Sequence, residues 1–104
     1  MQEIVAKRAE QIAILCANFG VLRLDVFGSA SHGVGFDARR SDVDLLVEFA
    51  SPSLEYRNFH DFQDALETLL GCRVDLVERK AIEQSRNYIR RRSILADAEL
   101  LYAA

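Results

Sequence analysis

The 104-residue sequence has no run of about 18 apolar residues, the length that a membrane-spanning helix needs, and no stretch with the pattern of a secretory signal peptide. We therefore expect no membrane association. Only two cysteines occur, Cys16 and Cys72, and each lies in an apolar segment. This placement favours reduced thiols in the core over a disulfide, and reduced thiols are typical of the cytoplasm, where we expect the protein.

The sequence also lacks an excess of positive charge. Its formal net charge is −3 at pH 7, which argues against direct nucleic-acid binding by bulk electrostatics. Basic residues are concentrated between Arg79 and Arg92, where six of them stand against one acid, Glu83. This stretch is either the solvated flank of a helix or a surface that meets a polyanion or an acidic protein face.

Internal repeats, linkers and low-complexity segments are absent as well. Half of the residues are hydrophobic and 28% are charged, a composition that excludes a disordered chain. A chain of this length can bury one core without disulfides or metals. We therefore expect one compact domain over residues 1–104.

Hydrophobic spacing predicts six elements in the order helix, strand, strand, helix, strand, helix. They fall at residues 3–19, 21–28, 43–49, 51–71, 72–79 and about 82–102. In the first strand, Leu22, Leu24 and Val26 alternate with Arg23 and Asp25, which predicts one buried and one polar face. The order indicates a two-layer α/β (α+β) fold with a small sheet of about three strands packed by helices.

Two aspartates precede and enter the apolar strand "VDLLVEF". Asp42 and Asp44 are two positions apart, so on a strand their carboxylates face the same way while Val43 turns into the core. At roughly 6 Å and an effective dielectric of about 20 they repel by about 3 kcal/mol. Oxygen ligands of this kind favour Mg²⁺ or Mn²⁺ over zinc, and Mg²⁺ commonly binds substrate phosphates. The pair therefore predicts phosphate chemistry.

Two further features extend this predicted site. Asp75 lies in "RVDLV", and a neighbouring third strand would bring its carboxylate to the same cation cluster, so that three acids could hold two metal ions. Gly28 and Ser29 stand where the first strand ends. A glycine there lets a phosphate approach the backbone, and the serine hydroxyl can donate a hydrogen bond to it.

The motifs "FGSASHG", "SDVDLLVEF" and "LLGCRVDLVE" together resemble the minimal nucleotidyltransferases, the MNT proteins of the DNA polymerase β-like nucleotidyltransferase superfamily. The resemblance covers nearly the whole chain. The family motif is Gly-Ser, then Asp-x-Asp, then a third acid on a later strand, and it falls on Gly28, Ser29, Asp42, Asp44 and Asp75. It implies a polymerase β-like nucleotidyltransferase fold.

The resemblance also implies an activity and a partner. Members of this family transfer AMP from ATP to an acceptor hydroxyl with Mg²⁺ and release pyrophosphate. By resemblance, Asp42 and Asp44 bind Mg²⁺–ATP, Asp75 completes the catalytic and metal site, and Gly28 and Ser29 bind the nucleotide phosphates. Minimal members commonly act as the antitoxin of a HEPN-domain toxin and modify a tyrosine of that toxin.

One departure from the family pattern concerns the residues after Gly-Ser. Many members carry arginine there, whereas this sequence has Ala30, Ser31 and His32, so that Arg39 and Arg40 become the candidates for phosphate contact. We expect His32 to be an exposed loop residue. His60 is expected on the surface of its helix.

Two alternative functions remain open. A non-catalytic antitoxin would neutralise its toxin by binding alone, and the basic stretch from Arg86 to Arg92 is the feature that favours it. A small-molecule nucleotidyltransferase would share the motif, but such enzymes usually add an acceptor domain for which this length leaves no room.

Overall fold

The computed structural model describes residues 3–27 and 43–104. Within them the chain forms a four-stranded sheet and five helices. The helices are α1 (Glu3–Lys7), α2 (Ala9–Phe19), α3 (Pro52–Leu70), α4 (Arg79–Glu83) and α5 (Tyr88–Asp97). The strands are β1 (Val21–Phe27), β2 (Val43–Phe49), β3 (Val74–Glu78) and β4 (Glu99–Ala103).

The sheet is mixed and has the strand order β3-β2-β1-β4. β1 is antiparallel to both β2 and β4, whereas β2 and β3 are parallel and are connected through α3. The predicted fold class is therefore confirmed, with one strand more than expected.

Each face of the sheet is covered by helices. The face that we call the core face packs against α2 and α3, and its residues join one large apolar cluster: Leu24, Val26, Val43, Leu45, Val47, Val74 and Leu76. The opposite face packs against α4 and α5. We call it the acidic face because it carries Asp25, Asp44 and Asp75, as the strand register requires.

The sequence predicts a turn at Pro52 followed by a helix that stops at Gly71; the stop is confirmed, whereas Pro52 already belongs to α3. The Ser51 hydroxyl accepts a hydrogen bond from the Leu54 N–H at 3.2 Å, and Pro52 occupies the first helical turn. At the other end, Gly71 adopts the left-handed conformation (φ 68°) and its N–H donates to the Glu67 carbonyl at 2.8 Å. Gly20 ends α2 in the same way, with φ 74°.

The predicted final helix over residues 82–102 is wrong. This segment forms α4 and α5 and then the edge strand β4, with an Asn87 cap that starts α5 by accepting from the Arg90 N–H. The chain becomes extended at Ala98, and β4 pairs with the otherwise open edge of β1. Tertiary pairing therefore overrides the helical spacing of the apolar residues.

The other differences are local. The first predicted helix is interrupted at Arg8, which separates α1 from α2. In β1, Leu24 and Val26 are buried on the core face as predicted, but Leu22 is 41% exposed and Asp25 is only 1% exposed, so these two positions depart from the predicted alternation. The register shifts between Val21 and Arg23 like a β-bulge, and α4 covers the face on which Asp25 lies.

The cysteine prediction is confirmed for the described residues. Cys16 is buried and Cys72 is half-buried, and no disulfide joins them. Burial raises the pKa of the Cys16 thiol to about 12, so this side chain stays protonated at neutral pH. In the described part of the chain, no helix is both long enough and apolar enough to cross a membrane.

A pair of glutamates joins α3 to the end of β3. A hydrogen bond with Glu78, reinforced by burial and by the negative charge of Glu78, raises the pKa of Glu55 to about 7, while the Lys80 charge opposes this shift. The native state therefore holds a proton that the unfolded state releases near the ordinary carboxyl pKa.

We expect the free energy of unfolding to fall as the pH rises from about 4.5 to about 7, because the native state binds the extra proton in this window. Glu55→Gln should flatten this part of the profile, since its amide can still donate to Glu78. Urea unfolding at a series of pH values measures the slope. An exposed carboxyl on the same helix provides the control, Asp61→Asn, and an unchanged slope in Glu55→Gln would contradict the assignment.

Candidate active site

The structure brings two of the predicted acids together. In the parallel register of β2 and β3, Asp44 stands directly beside Asp75, and in the antiparallel register of β1 and β2 it stands opposite Phe27. Adjacent strands lie about 4.8 Å apart, so the two aspartates occupy neighbouring positions on the acidic face. The expectation that the third strand neighbours the second is confirmed.

Helix α3 fixes the backbone just before Asp75 from the other side of the sheet. The Glu67 carboxylate accepts from the Val74 N–H at 2.9 Å, and the Gln63 amide donates to the Val74 carbonyl at 2.8 Å. The Val43 N–H donates to the Arg73 carbonyl at 3.2 Å and ties the starts of β2 and β3 together. Three hydrogen bonds thus hold the two strands at the level of the acids.

The two carboxylates differ in exposure. Asp44 is only 5% exposed, whereas Asp75 is exposed to solvent. Partial burial raises the pKa of Asp75 above its ordinary value, and the negative charge of Asp44 raises it further, while the positive charge of Arg90 lowers it. A carboxyl whose pKa is raised by burial and by an adjacent carboxylate is an arrangement that a divalent cation would stabilise.

The remaining predicted site residues lie outside the described residues. These are Gly28, Ser29, Asp42, Arg39 and Arg40, together with Ala30, Ser31 and His32. The description of β1 ends at Phe27 and that of β2 starts at Val43. Val43 is fully buried on the core face while Asp44 lies on the acidic face, which confirms the predicted alternation for these two positions. Over 3–27 and 43–104, no three His, Cys, Asp or Glu side chains form a metal-binding group.

A cavity of about 410 Å³ opens between the acidic face and α5. Phe27 and Asp75 line it from the sheet, and the segment around α5 supplies the rest: Asn87, Ile89, Arg90, Ser93, Ile94 and Asp97. The sequence did not predict this cavity, because it depends on how α5 folds back over the sheet. Of its lining residues, the sequence had singled out Asp75 as a site residue and Arg90 only as part of the basic stretch.

Below the cavity an apolar cluster seats α4 and α5 on the sheet. Phe27 and Leu46 of the acidic face pack with Ile82 of α4 and Ile94 of α5, and all four are buried. Fully burying side chains of this size contributes about 1.5–3 kcal/mol each. This contact sets the distance at which α5 stands from Asp75.

Asp25 is the third aspartate on the acidic face, and its burial was not predicted from the sequence. Its carboxylate accepts from Arg23 Nε at 2.8 Å, from Arg23 Nη2 at 3.2 Å and from Arg79 Nη2 at 3.0 Å. Arg79 is the first residue of α4, so the ion pair joins β1 to that helix. With two arginines on it, Asp25 is a structural acid and not part of the Asp44–Asp75 pair.

His60 lies on the far side of the sheet from these acids. It is exposed on α3, where its ring meets Phe59 edge-on with 5.8 Å between centroids. The prediction of a surface residue is confirmed.

Comparison with known proteins places this arrangement in a family. The nucleotidyltransferase domain family matches residues 8–97, which is most of the chain. The chain belongs to this nucleotidyltransferase family. Strands β2 and β3, which carry Asp44 and Asp75 at neighbouring positions, lie wholly inside the matched region.

Curated relatives come from archaea. A protein named as a protein adenylyltransferase in Methanocaldococcus jannaschii is 30% identical over 82 residues, which cover 79% of this chain and 88% of that protein. The protein adenylyltransferase MntA of Thermococcus cleftensis is 44% identical over 66 residues, covering 62% of this chain and 63% of that protein.

Solved structures share the fold. A structure described as a minimal nucleotidyltransferase superposes with a TM-score of 0.66 and 34% identity, over 93% of this chain and 92% of that one. The structure of a toxin–antitoxin with AMP-PNP gives a TM-score of 0.56 at 20% identity, over 92% of this chain and 73% of that one. At that identity the second match shows the fold alone.

Removing the buried acid should destabilise the protein. Asp25→Ala leaves the largely buried Arg79 with only its longer, 3.8 Å contact to the exposed Glu83, and breaking a buried pair typically costs at least about 3 kcal/mol. Chemical denaturation measures the loss. Asp64→Ala on the exposed side of α3 serves as the control and should change stability by less than about 0.5 kcal/mol. Equal effects of the two substitutions would contradict the structural role of Asp25.

Proposed function

We propose that this nucleotidyltransferase transfers AMP from ATP to a tyrosine hydroxyl of a HEPN-domain toxin and so acts as the antitoxin of a toxin–antitoxin pair. The observation that carries the proposal is the pairing of Asp44 with Asp75 at one end of the acidic face, beside a cavity that reaches Asp75. Residues 1–104 act as one domain in this proposal, and the site of action is the cytoplasm.

The acids form the metal site in this proposal. Asp44 and Asp75, joined by Asp42, hold Mg²⁺, with Mn²⁺ as a substitute. Their oxygen-only donor set suits either ion. Burial and then the Asp44 charge raise the pKa of Asp75, and a cation would offset that charge. A bound divalent cation supplies charge neutralisation at the phosphates and lowers the pKa of a coordinated hydroxyl.

Other residues of this chain bind the phosphates and accept the proton in this proposal. Gly28 and Ser29 hold the phosphates of ATP through backbone N–H groups and the serine hydroxyl. Asp75 is the exposed acid at the cavity, and it accepts the proton of the acceptor hydroxyl. The acceptor oxygen then bonds to the α-phosphorus, the bond from that phosphorus to the bridging oxygen of the β-phosphate breaks, and pyrophosphate leaves.

The relatives support the acceptor and the biological role. The Thermococcus cleftensis relative is named a protein adenylyltransferase, and its name, MntA, is also that of the protein in a solved MntA–HpeT toxin–antitoxin structure whose fold this chain shares. A protein adenylyltransferase uses a side chain of another protein as its acceptor. This makes a toxin hydroxyl a better candidate than a small molecule.

A second candidate is an antitoxin that neutralises its toxin by binding alone. The observation that favours it is Ile89, a large apolar side chain on α5 that is 79% exposed among arginines. Such a surface fits a protein contact and needs no catalysis.

Substitution of either paired acid separates the two candidates. Asp44→Asn and Asp75→Asn should each lower AMP transfer from α-labelled ATP to the purified HEPN-domain protein by at least about 100-fold, because each removes a charge needed at the phosphates. Asp61→Asn on α3 is the control. Transfer that persists in both variants would refute the enzymatic proposal, and toxin neutralisation by an inactive Asp44→Asn variant would favour binding alone.

Removal of divalent cations should have the same effect as loss of the acids. Treatment with EDTA should abolish label transfer, and added Mg²⁺ or Mn²⁺ should restore it, whereas Zn²⁺ should restore little, because zinc prefers nitrogen and sulfur ligands. Calorimetric titration of Mg²⁺ into the nucleotide complex gives an independent measurement. Full activity without any divalent cation would contradict the assigned role of the acids.

A further inference from the structure

The exposed side of α5 combines positive charge with apolar surface next to the cavity. Arg86, Arg90 and Arg92 are exposed there, and Tyr88 and Ile89 lie among them with exposures of 57% and 79%. We call these five residues the arginine face. Ile89 lines both the cavity that contains Asp75 and a shallower groove of about 430 Å³ that continues along the outside of α5. The face and the candidate active site therefore form one continuous surface.

The side chains at the centre of this face are held in place by their neighbours. The Arg92 guanidinium donates to the Tyr88 hydroxyl at 3.3 Å, and the Arg91 guanidinium lies 5.4 Å from the centre of the Tyr88 ring. Arg91 itself is half-buried and donates to the carbonyls of Glu83 and Ser85. Arg91 thus supports the face from behind, and a partner would meet a tyrosine whose rotamer is already restrained.

The charge of the face is opposite to that of the whole chain. The protein carries a formal net charge of −3, yet this segment presents three exposed arginines close to the cavity. Charge complementarity across an interface steers association and selects the partner, so the face fits an acidic segment. Arginine and tyrosine are also the residues that most often dominate protein interfaces.

We infer that the arginine face docks an acidic segment of the acceptor protein and delivers its hydroxyl side chain into the cavity beside Asp75. This inference rests on the proposed function, which it extends from the reacting groups to the surface that selects the acceptor. A protein segment is favoured over RNA for two reasons. Ile89 is an aliphatic side chain at the centre of the face. On a chain with a negative net charge, we would also expect a nucleic-acid site to have basic residues over a much larger area than this face.

The test compares two variants with the same change in net charge. R86E/R92E reverses two charges on the arginine face, whereas R8E/R57E reverses two exposed arginines elsewhere, Arg8 between α1 and α2 and Arg57 on α3. The probes are a fluorescent acidic peptide with one central tyrosine, its lysine-substituted counterpart, and the purified HEPN-domain protein. Binding is followed by fluorescence anisotropy without nucleotide, so that this part of the test does not depend on AMP transfer.

We expect wild type and R8E/R57E to bind the acidic peptide and the HEPN-domain protein alike, and R86E/R92E to bind both at least about tenfold more weakly, in a salt-dependent manner. Ile89→Ser keeps the charge and should weaken binding as well. In the transfer assay, R86E/R92E should raise the KM for the HEPN-domain protein while kcat and the KM for ATP stay close to wild type.

Equal binding by R86E/R92E and R8E/R57E would overturn the inference, and so would preference for the lysine-substituted peptide or displacement of the acidic peptide by a single-stranded RNA oligonucleotide. Failure of the proposed function gives a different result, because wild type would then bind the acidic peptide but transfer no AMP. Thermal unfolding of each variant verifies that the fold is retained.

Discussion

The alternation of side chains along β2 is the constraint on which the rest of the structure depends. Val43, Leu45 and Val47 are fully buried on the core face, while Asp44 lies on the acidic face between these apolar neighbours. Because successive residues of a strand point to opposite faces, a slip of one position would put the aspartate in the apolar core and the valines on the acidic face. The core and the candidate site therefore specify the same register.

The strands on either side of β2, β1 and β3, place further residues next to Asp44. β1 places Phe27 opposite Asp44, and β3 places Asp75 beside it. The Gln63 amide donates to the Val74 carbonyl and the Glu67 carboxylate accepts from the Val74 N–H, and these two bonds set the height of β3 from the core side. Helix α3 is thus more than a connection between parallel strands, since it fixes the backbone one residue before Asp75.

The parts of the fold that could be predicted from the sequence are those whose structure is determined by residues close together in the chain. Helix α3 has a serine cap, a proline in its first turn and a glycine stop, and five of the seven residues of β2 are apolar, so both elements were predictable from their own residues. Strand β4 was not, because its apolar spacing also fits a helix and only the open edge of β1 decides between them.

The same distinction applies to the candidate site. The neighbouring positions of Asp44 and Asp75 followed from a short-range pattern on two strands, whereas the burial of Asp25 depends on Arg79, which is 54 positions away in the chain. The cavity beside Asp75 requires α5 to cross over the sheet. No periodicity within the residues of α5 encodes that crossing, because the helix is seated by its contact with Phe27 and Leu46.

The aspartates of the acidic face differ in their contacts with arginine. Asp25 is more deeply buried than Asp44 or Asp75, yet it is the least suited of the three to hold a cation, since two guanidinium groups already donate to both of its oxygens. A metal bound to Asp25 would displace these guanidinium groups and break the ion pair that joins β1 to α4. At the other end, the only guanidinium among the described residues that shifts the pKa of Asp75 is that of Arg90, which stands on a helix that lines the cavity. Two arginines thus tie Asp25 into the fold, whereas the arginine near Asp75 belongs to the wall of the cavity.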